Sequence, residues 1–204
     1  MAIAALVALW LQARPGPTHE IDALAWLEGQ GVPGRIQAAL RPVLLKLWQD
    51  AWKAGAKGAG EAAGDFRAIP DQIVADRISR LAAKWLQEVT ETRVRRIAAI
   101  LAKGGTAVEL ENAIRALLMS RPDADMMART EITRAMQAAA TEVYRAAGVN
   151  KVRWITRSDN PCPICLANEA AGPKYLGEPF PPGKTAPPEH PNCECALIPA
   201  ESDV

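Results

Sequence analysis

Aromatic side chains make up only 5% of this 204-residue chain, with two phenylalanines and two tyrosines beside six tryptophans, and histidine occurs twice. Only one of the two, His190, lies near the cysteines, so a catalytic metal site would have a single histidine and no recognisable second base or carboxylate pair. A large excess of either charge is also missing, because the formal net charge is +1. That argues against a general polyanion-binding domain, which is usually basic overall. A disordered chain combines high net charge with low hydrophobicity, and the 49% hydrophobic content excludes it here. No stretch approaches the roughly 20 apolar residues that a membrane span needs, so no membrane partner is expected. The apolar opening from Met1 to Ala13 is too short to span and has no Lys or Arg ahead of it. It reads as a short helix docked on the core or on a partner rather than as a leader.

Cysteine is scarce and oddly placed. All four (Cys162, Cys165, Cys193 and Cys195) fall in the C-terminal quarter, together with His190. Ten of the sixteen prolines lie between 161 and 199. So many prolines exclude long helices and leave too little apolar material for an independent core. Something other than hydrophobic burial must hold this segment together.

The rest reads as helix to about residue 147. Thr18 is placed to cap a helix carrying Ile21, Leu24 and Trp26. A second helix carries Leu40, Leu44, Leu45, Trp48 and Trp52, with Pro42 marking its start or a kink. The small-residue run from Ala54 through Gly60 to Gly64 is the expected hinge. From Pro70 to Lys103 a stripe of Val74, Ile78, Leu81, Trp85, Val89, Ile97 and Leu101 predicts a long amphipathic helix. Thr106 and Glu109 form a capping-box signature. A last long helix runs from Ser120–Asp123 to about Ala147, closed by Gly148, with Ile132, Met136, Ala139 and Val143 as its expected inner face. Lys151–Thr156 then alternates in the manner of a half-buried strand. The expected fold class is mainly α: an elongated helical body followed by a small, loop-rich α+β module with short strands. The expected domains are 1–64, ending in the Gly/Ala-rich hinge, 65–148 as a long-helix bundle, and 149–204 as a Cys/His module.

Within that module the spacing is Cys162-x2-Cys165, then 24 residues, then His190-x2-Cys193-x-Cys195. A Cys-x-x-Cys turn presents two thiolates to one cation, and a second pair from a later turn completes a tetrahedral site. Five candidates compete for four seats. The second half is either His190 with one late cysteine or both late cysteines with His190 behind them. One structural zinc per chain is the expected cofactor. Two disulfides, or reduced thiols without metal, are the competing reading. A thioredoxin-type redox pair has no βαβ pattern around it. A catalytic zinc, as in a zinc-dependent nuclease using His190 and a nearby acid, is the third and weakest reading; it would need an open seat and a base, for which Glu189 and Glu194 are the available acids.

Net charge is uneven along the chain: 129–157 carries +4 and 158–204 carries −5. Arg129, Arg134, Arg145, Lys151, Arg153 and Arg157 supply the basic stretch, and Arg93, Arg95 and Arg96 add a cluster. On one face they would bind double-stranded DNA through its phosphates. The plainer alternative is a solvated helix face diluted by Glu131 and Glu142. Trp10, Trp26, Trp48 and Trp52 are candidate partner anchors, since Trp is enriched at interfaces, or ordinary packing residues.

Taken in order, Ala128-Arg-Thr-Glu-Ile-Thr-Arg-Ala-Met-Gln-Ala-Ala-Ala140, Gly148, Trp154-Ile-Thr156, Cys162-Pro-Ile-Cys165 and Pro187-Pro-Glu-His-Pro-Asn-Cys-Glu-Cys195 resemble the phage Mu F-like head morphogenesis family, which includes the minor head protein of phage SPP1. The resemblance covers roughly 70–200, with its specific motifs between 128 and 199. It implies a non-enzymatic minor capsid protein of a tailed phage or prophage. It further implies association with the portal, major capsid and scaffold proteins during assembly in the bacterial cytoplasm, residence in the head interior of the virion, and a part in DNA packaging or ejection.

Overall fold

The computed structural model describes residues 2–13, 18–63, 71–181 and 183–200. Among them are seven helices and a three-stranded sheet, so the chain is mainly helical with a small sheet near its C-terminus. The residues group into two compact units. The first joins Met1–Val43 to Leu81–Ala124, and the second joins Leu44–Arg80 to Asp125–Val204.

In the first unit, α1 (Ile3–Ala13) packs against α5 (Ala107–Met119). The unit also holds α2 (Glu20–Gly29), the start of α3 (Val32–Ala63) and the end of α4 (Asp71–Lys103). Leu6, Val7 and Trp10 of α1, Ala23 and Leu27 of α2, Ile97 and Leu101 of α4, and Leu110 and Ile114 of α5 form one buried cluster. Removing a side chain of this size from water contributes about 1.5–3 kcal/mol, enough to fix short helices that would be marginal alone. The capping box at α5 is present: Glu109 N–H donates to the Thr106 hydroxyl, and Thr106 N–H donates to the Glu109 carboxylate at 2.8 Å. Thr18 does not cap α2. His19 occupies that position without a side-chain hydrogen bond, and the buried Thr18 hydroxyl has no partner.

In the second unit, Trp48 and Trp52 of α3, Val74 and Ile78 of α4, and Ala135, Ala139 and Val143 of α6 (Arg121–Ala146) are buried. The run Ala54 to Gly60, expected as a hinge, continues α3, which also passes through Pro42. The reason is close packing. A Cβ on Gly55 would lie 2.5 Å from Met136 Cα, so only glycine lets the α6 backbone approach there, and Ala56 and Ala59 are buried beside it. Gly64 and Pro70 lie outside the described residues.

α6 ends at a left-handed glycine, Gly148 (φ 74°). Gly148 N–H donates to Arg145 O at 3.3 Å and Val149 N–H to Tyr144 O at 2.9 Å, the paired bonds of a Schellman stop. The chain then enters β1 (Lys151–Ile155), the centre of an antiparallel sheet between β2 (Lys174–Tyr175) and β3 (Ala196–Pro199). Trp154 pairs with Leu197 and Ile155 with Ala196. Between β1 and β2 lies α7 (Pro163–Ala170).

Candidate metal centre

The first knuckle is the start of α7. Cys162 is its N-cap, with Cys165 N–H donating to the Cys162 sulfur at 3.4 Å and Pro163 opening the first turn. Pro at that position has no N–H to satisfy and its φ already suits a helix. This backbone donor holds the Cys162 thiol below its usual value, and nearby His190 helps. The second knuckle is a turn closed by Cys193 N–H donating to His190 O at 3.2 Å, with Asn192 in the left-handed region (φ 62°) that Asn tolerates.

The two knuckles meet. The Cys162 and Cys165 sulfurs each lie 3.2 Å from His190 Nε2, and Cys165 lies 3.8 Å from Cys193. Cys162, Cys165 and His190 offer ligand atoms within 4.8 Å of one another, and so do Cys165, Cys193 and Cys195. Cys165 belongs to both triads. No cysteine is in a disulfide, and 3.8 Å is far beyond the roughly 2.05 Å of an S–S bond.

The donor chemistry fits a cation that prefers sulfur and imidazole. His190 Nδ1 lies 2.8 Å from Pro191 O, a bond that requires the proton on Nδ1 and leaves the Nε2 lone pair among the sulfurs. Burial pushes the Cys165 thiol far up, reinforced by the neighbouring cysteine sulfurs. Burial likewise raises Cys195, opposed by Trp154. Crowded thiolates destabilise one another until a cation sits among them, and a bound metal reverses that balance. The cluster could therefore hold a metal ion.

A stripe of α6 side chains holds the second knuckle in place. Asn192 N–H donates to the Thr130 hydroxyl at 2.8 Å, and the Thr133 hydroxyl donates to Cys193 O at 3.0 Å. Leu197 N–H donates to Gln137 Oε1 at 2.9 Å, and the Tyr144 hydroxyl donates to Leu197 O at 3.1 Å. The expected apolar inner face of α6 holds at Ala139 and Val143, which are buried, and is corrected elsewhere. Ile132 and Met136 are only partly buried, while Glu131 and Gln137 are buried through specific partners. Apolar periodicity carries no signal for such residues, although the Thr-Glu motif around Glu131 marked the helix.

The six basic candidates are largely engaged with other groups. Arg129 pairs with Glu194 at 3.8 Å, Arg134 with Glu131 at 3.5 Å and Arg145 with Glu142 at 2.9 Å. Lys151 lies over the Tyr175 ring, while Arg153 and Arg157 are exposed. In the first unit, Arg96 forms a two-pronged pair with Asp123 at 3.0 and 3.1 Å, and Arg95 reaches Glu91 at 3.8 Å. The four tryptophans, candidates for partner anchors or for ordinary packing, are placed as follows. Trp10, Trp48 and Trp52 are each 1% exposed or less, and the partly buried Trp26 packs edge-on against Trp10 at 5.1 Å. Large flat side chains at helix contacts were absorbed into the cores. Of the two acids considered as bases, Glu194 meets Arg129, and Glu189 accepts from Asn168 Nδ2 at 3.5 Å.

The family model described as Phage Mu protein F like protein matches residues 91–198, more than half of the chain. The chain belongs to that family. The match takes in α6, the sheet up to residue 198 and both knuckles, so the Mu F-like region contains the whole Cys/His cluster. Membership gives a coarse role in phage head morphogenesis, with capsid-associated partners and the virion as its location. Among the described residues no helix is long and apolar enough to cross a membrane. No curated protein and no solved structure matches the chain.

Proposed function

We propose that this Mu F-like protein is a minor capsid component that associates with the portal inside the procapsid and aids DNA packaging or ejection. We read it as structural rather than catalytic, with a C-terminal module spanning roughly 149–204 that is stapled by one zinc ion. The observation that carries the reading is the family match over 91–198. Support for zinc comes from a cluster of four thiols and an imidazole with its Nε2 lone pair free, a donor set matching structural zinc sites. Cys162, Cys165, His190, Cys193 and Cys195 are the residues that would supply its four ligands. When bound, the ion supplies cross-linking energy that the proline-rich segment cannot obtain from a core.

DNA binding through the basic stretch is the weaker reading. Three of its six cations meet carboxylates, which leaves little continuous positive surface for phosphates.

Co-expression with the portal, scaffold and major capsid proteins of the same phage tests the proposal. Co-purification with portal and incorporation into procapsids in few copies is the expected result. Procapsids that never contain the protein, together with no portal association, would overturn it.

A further inference from the structure

Trp154 carries a buried polar group that the packing leaves unanswered. Its ring is 1% exposed and meets Phe180 edge-on at 5.3 Å, yet its indole N–H completes no hydrogen bond. Buried polar groups are normally paired, and an exception calls for a partner. The register supplies one. Trp154 sits opposite Leu197, and Cys195 lies two residues before Leu197, just ahead of β3, so continuing the strand's alternation puts it diagonal to Trp154 on the same face. Cys195 is 4% exposed and its sulfur belongs to the triad with Cys165 and Cys193.

The chemistry of the two groups is complementary. An indole N–H only donates, and a neutral thiol is a poor acceptor. A thiolate is a strong one, because hydrogen bonds to ionised acceptors are shorter and about twice as strong.

We propose that Trp154 is a positioning residue for the metal: its indole N–H donates to the Cys195 thiolate, and Cys195 thereby takes a seat beside Cys165 and Cys193. This rests on the metal reading above. Donors behind a metal ligand fix its orientation and tune its affinity, and removing one typically weakens binding 10- to 100-fold.

The full-length protein loaded with cadmium-113 provides the test. A scalar coupling between the cadmium nucleus and the Trp154 indole proton, transmitted through N–H···S, is the expected result. A Trp154 indole resonance that neither couples nor shifts on loading would overturn the proposal. Trp154→Phe keeps an aromatic ring and removes the donor. It should weaken cobalt(II) affinity about tenfold in chelator competition, and the effect should vanish in a Cys195→Ser background. An unchanged affinity, or a loss of equal size in both backgrounds, would reduce Trp154 to packing and overturn the assignment. The cadmium experiment uses the unaltered protein, so it decides the matter even if the Phe variant fails to fold. A wild-type protein that takes up neither metal removes the metal reading itself, and this inference with it. Uptake with a silent Trp154 removes this inference alone.

Discussion

Trp48 and Glu131 stand 83 residues apart and share one buried hydrogen bond, the indole N–H donating to the carboxylate at 3.0 Å. Glu131 is 2% exposed and also meets Arg134 at 3.5 Å. A buried carboxylate is tolerated only with such partners. Glu131→Ala leaves the indole N–H and the guanidinium without it, and should destabilise the protein by about 3 kcal/mol. Glu131→Gln retains an acceptor for Trp48 and should cost clearly less. Denaturant unfolding of the two variants checks the order, and equal losses would contradict the hydrogen-bonding role.

Two glycines of α3 should respond with opposite signs. A Cβ on Gly55 would overlap the Met136 backbone, whereas one on Gly58 meets nothing within 4 Å. Gly55→Ala should lower stability by about 1–3 kcal/mol through overpacking. Gly58→Ala should raise it by up to about 1 kcal/mol, because alanine loses less backbone entropy in a helix. Thermal melts of both variants give the signs directly.

The capping box at α5 gives a pH prediction. Hydrogen bonds from the Thr106 backbone N–H and hydroxyl hold the Glu109 carboxyl below its ordinary value. A depressed carboxyl contributes stability above its unfolded-state value and loses it as pH falls through the folded one. The stability gap between wild type and Glu109→Gln should therefore exist at neutral pH and close on acidification below the usual carboxylate range. Thr106→Ala should cost about 1 kcal/mol. A gap independent of pH would contradict the charged cap.

Local chemistry was the part of the fold legible in the sequence. The Thr106–Glu109 box, the glycine stop at Gly148 and the β1 alternation each depend on neighbours a few residues away. Residues that depend on distant partners were not legible. Ala54–Gly60 resembles a linker until Met136 is placed against Gly55, and Gln137 resembles a surface residue until Leu197 N–H reaches it. The centre divides in the same way. Cysteine spacing brought the five candidates into view, whereas the His190 tautomer is set by the Pro191 carbonyl and the place of Trp154 by strand register.

Chelation should act on one part of the molecule. Stripping metal from the full chain should perturb Trp154 and the 149–200 segment, and leave most of the helical circular-dichroism signal, because the α1–α5 cluster contains no ligand. Amide exchange before and after chelation measures this. Uniform exchange changes across the helices would contradict a local staple.

The central claim, that a metal holds the proline-rich segment together, is tested most directly by the metal content of the full chain purified under reducing conditions without chelator. The account predicts about one zinc per chain, with the cysteines shielded from thiol reagents until the metal is removed. Protein with no bound metal and freely reactive thiols would contradict it.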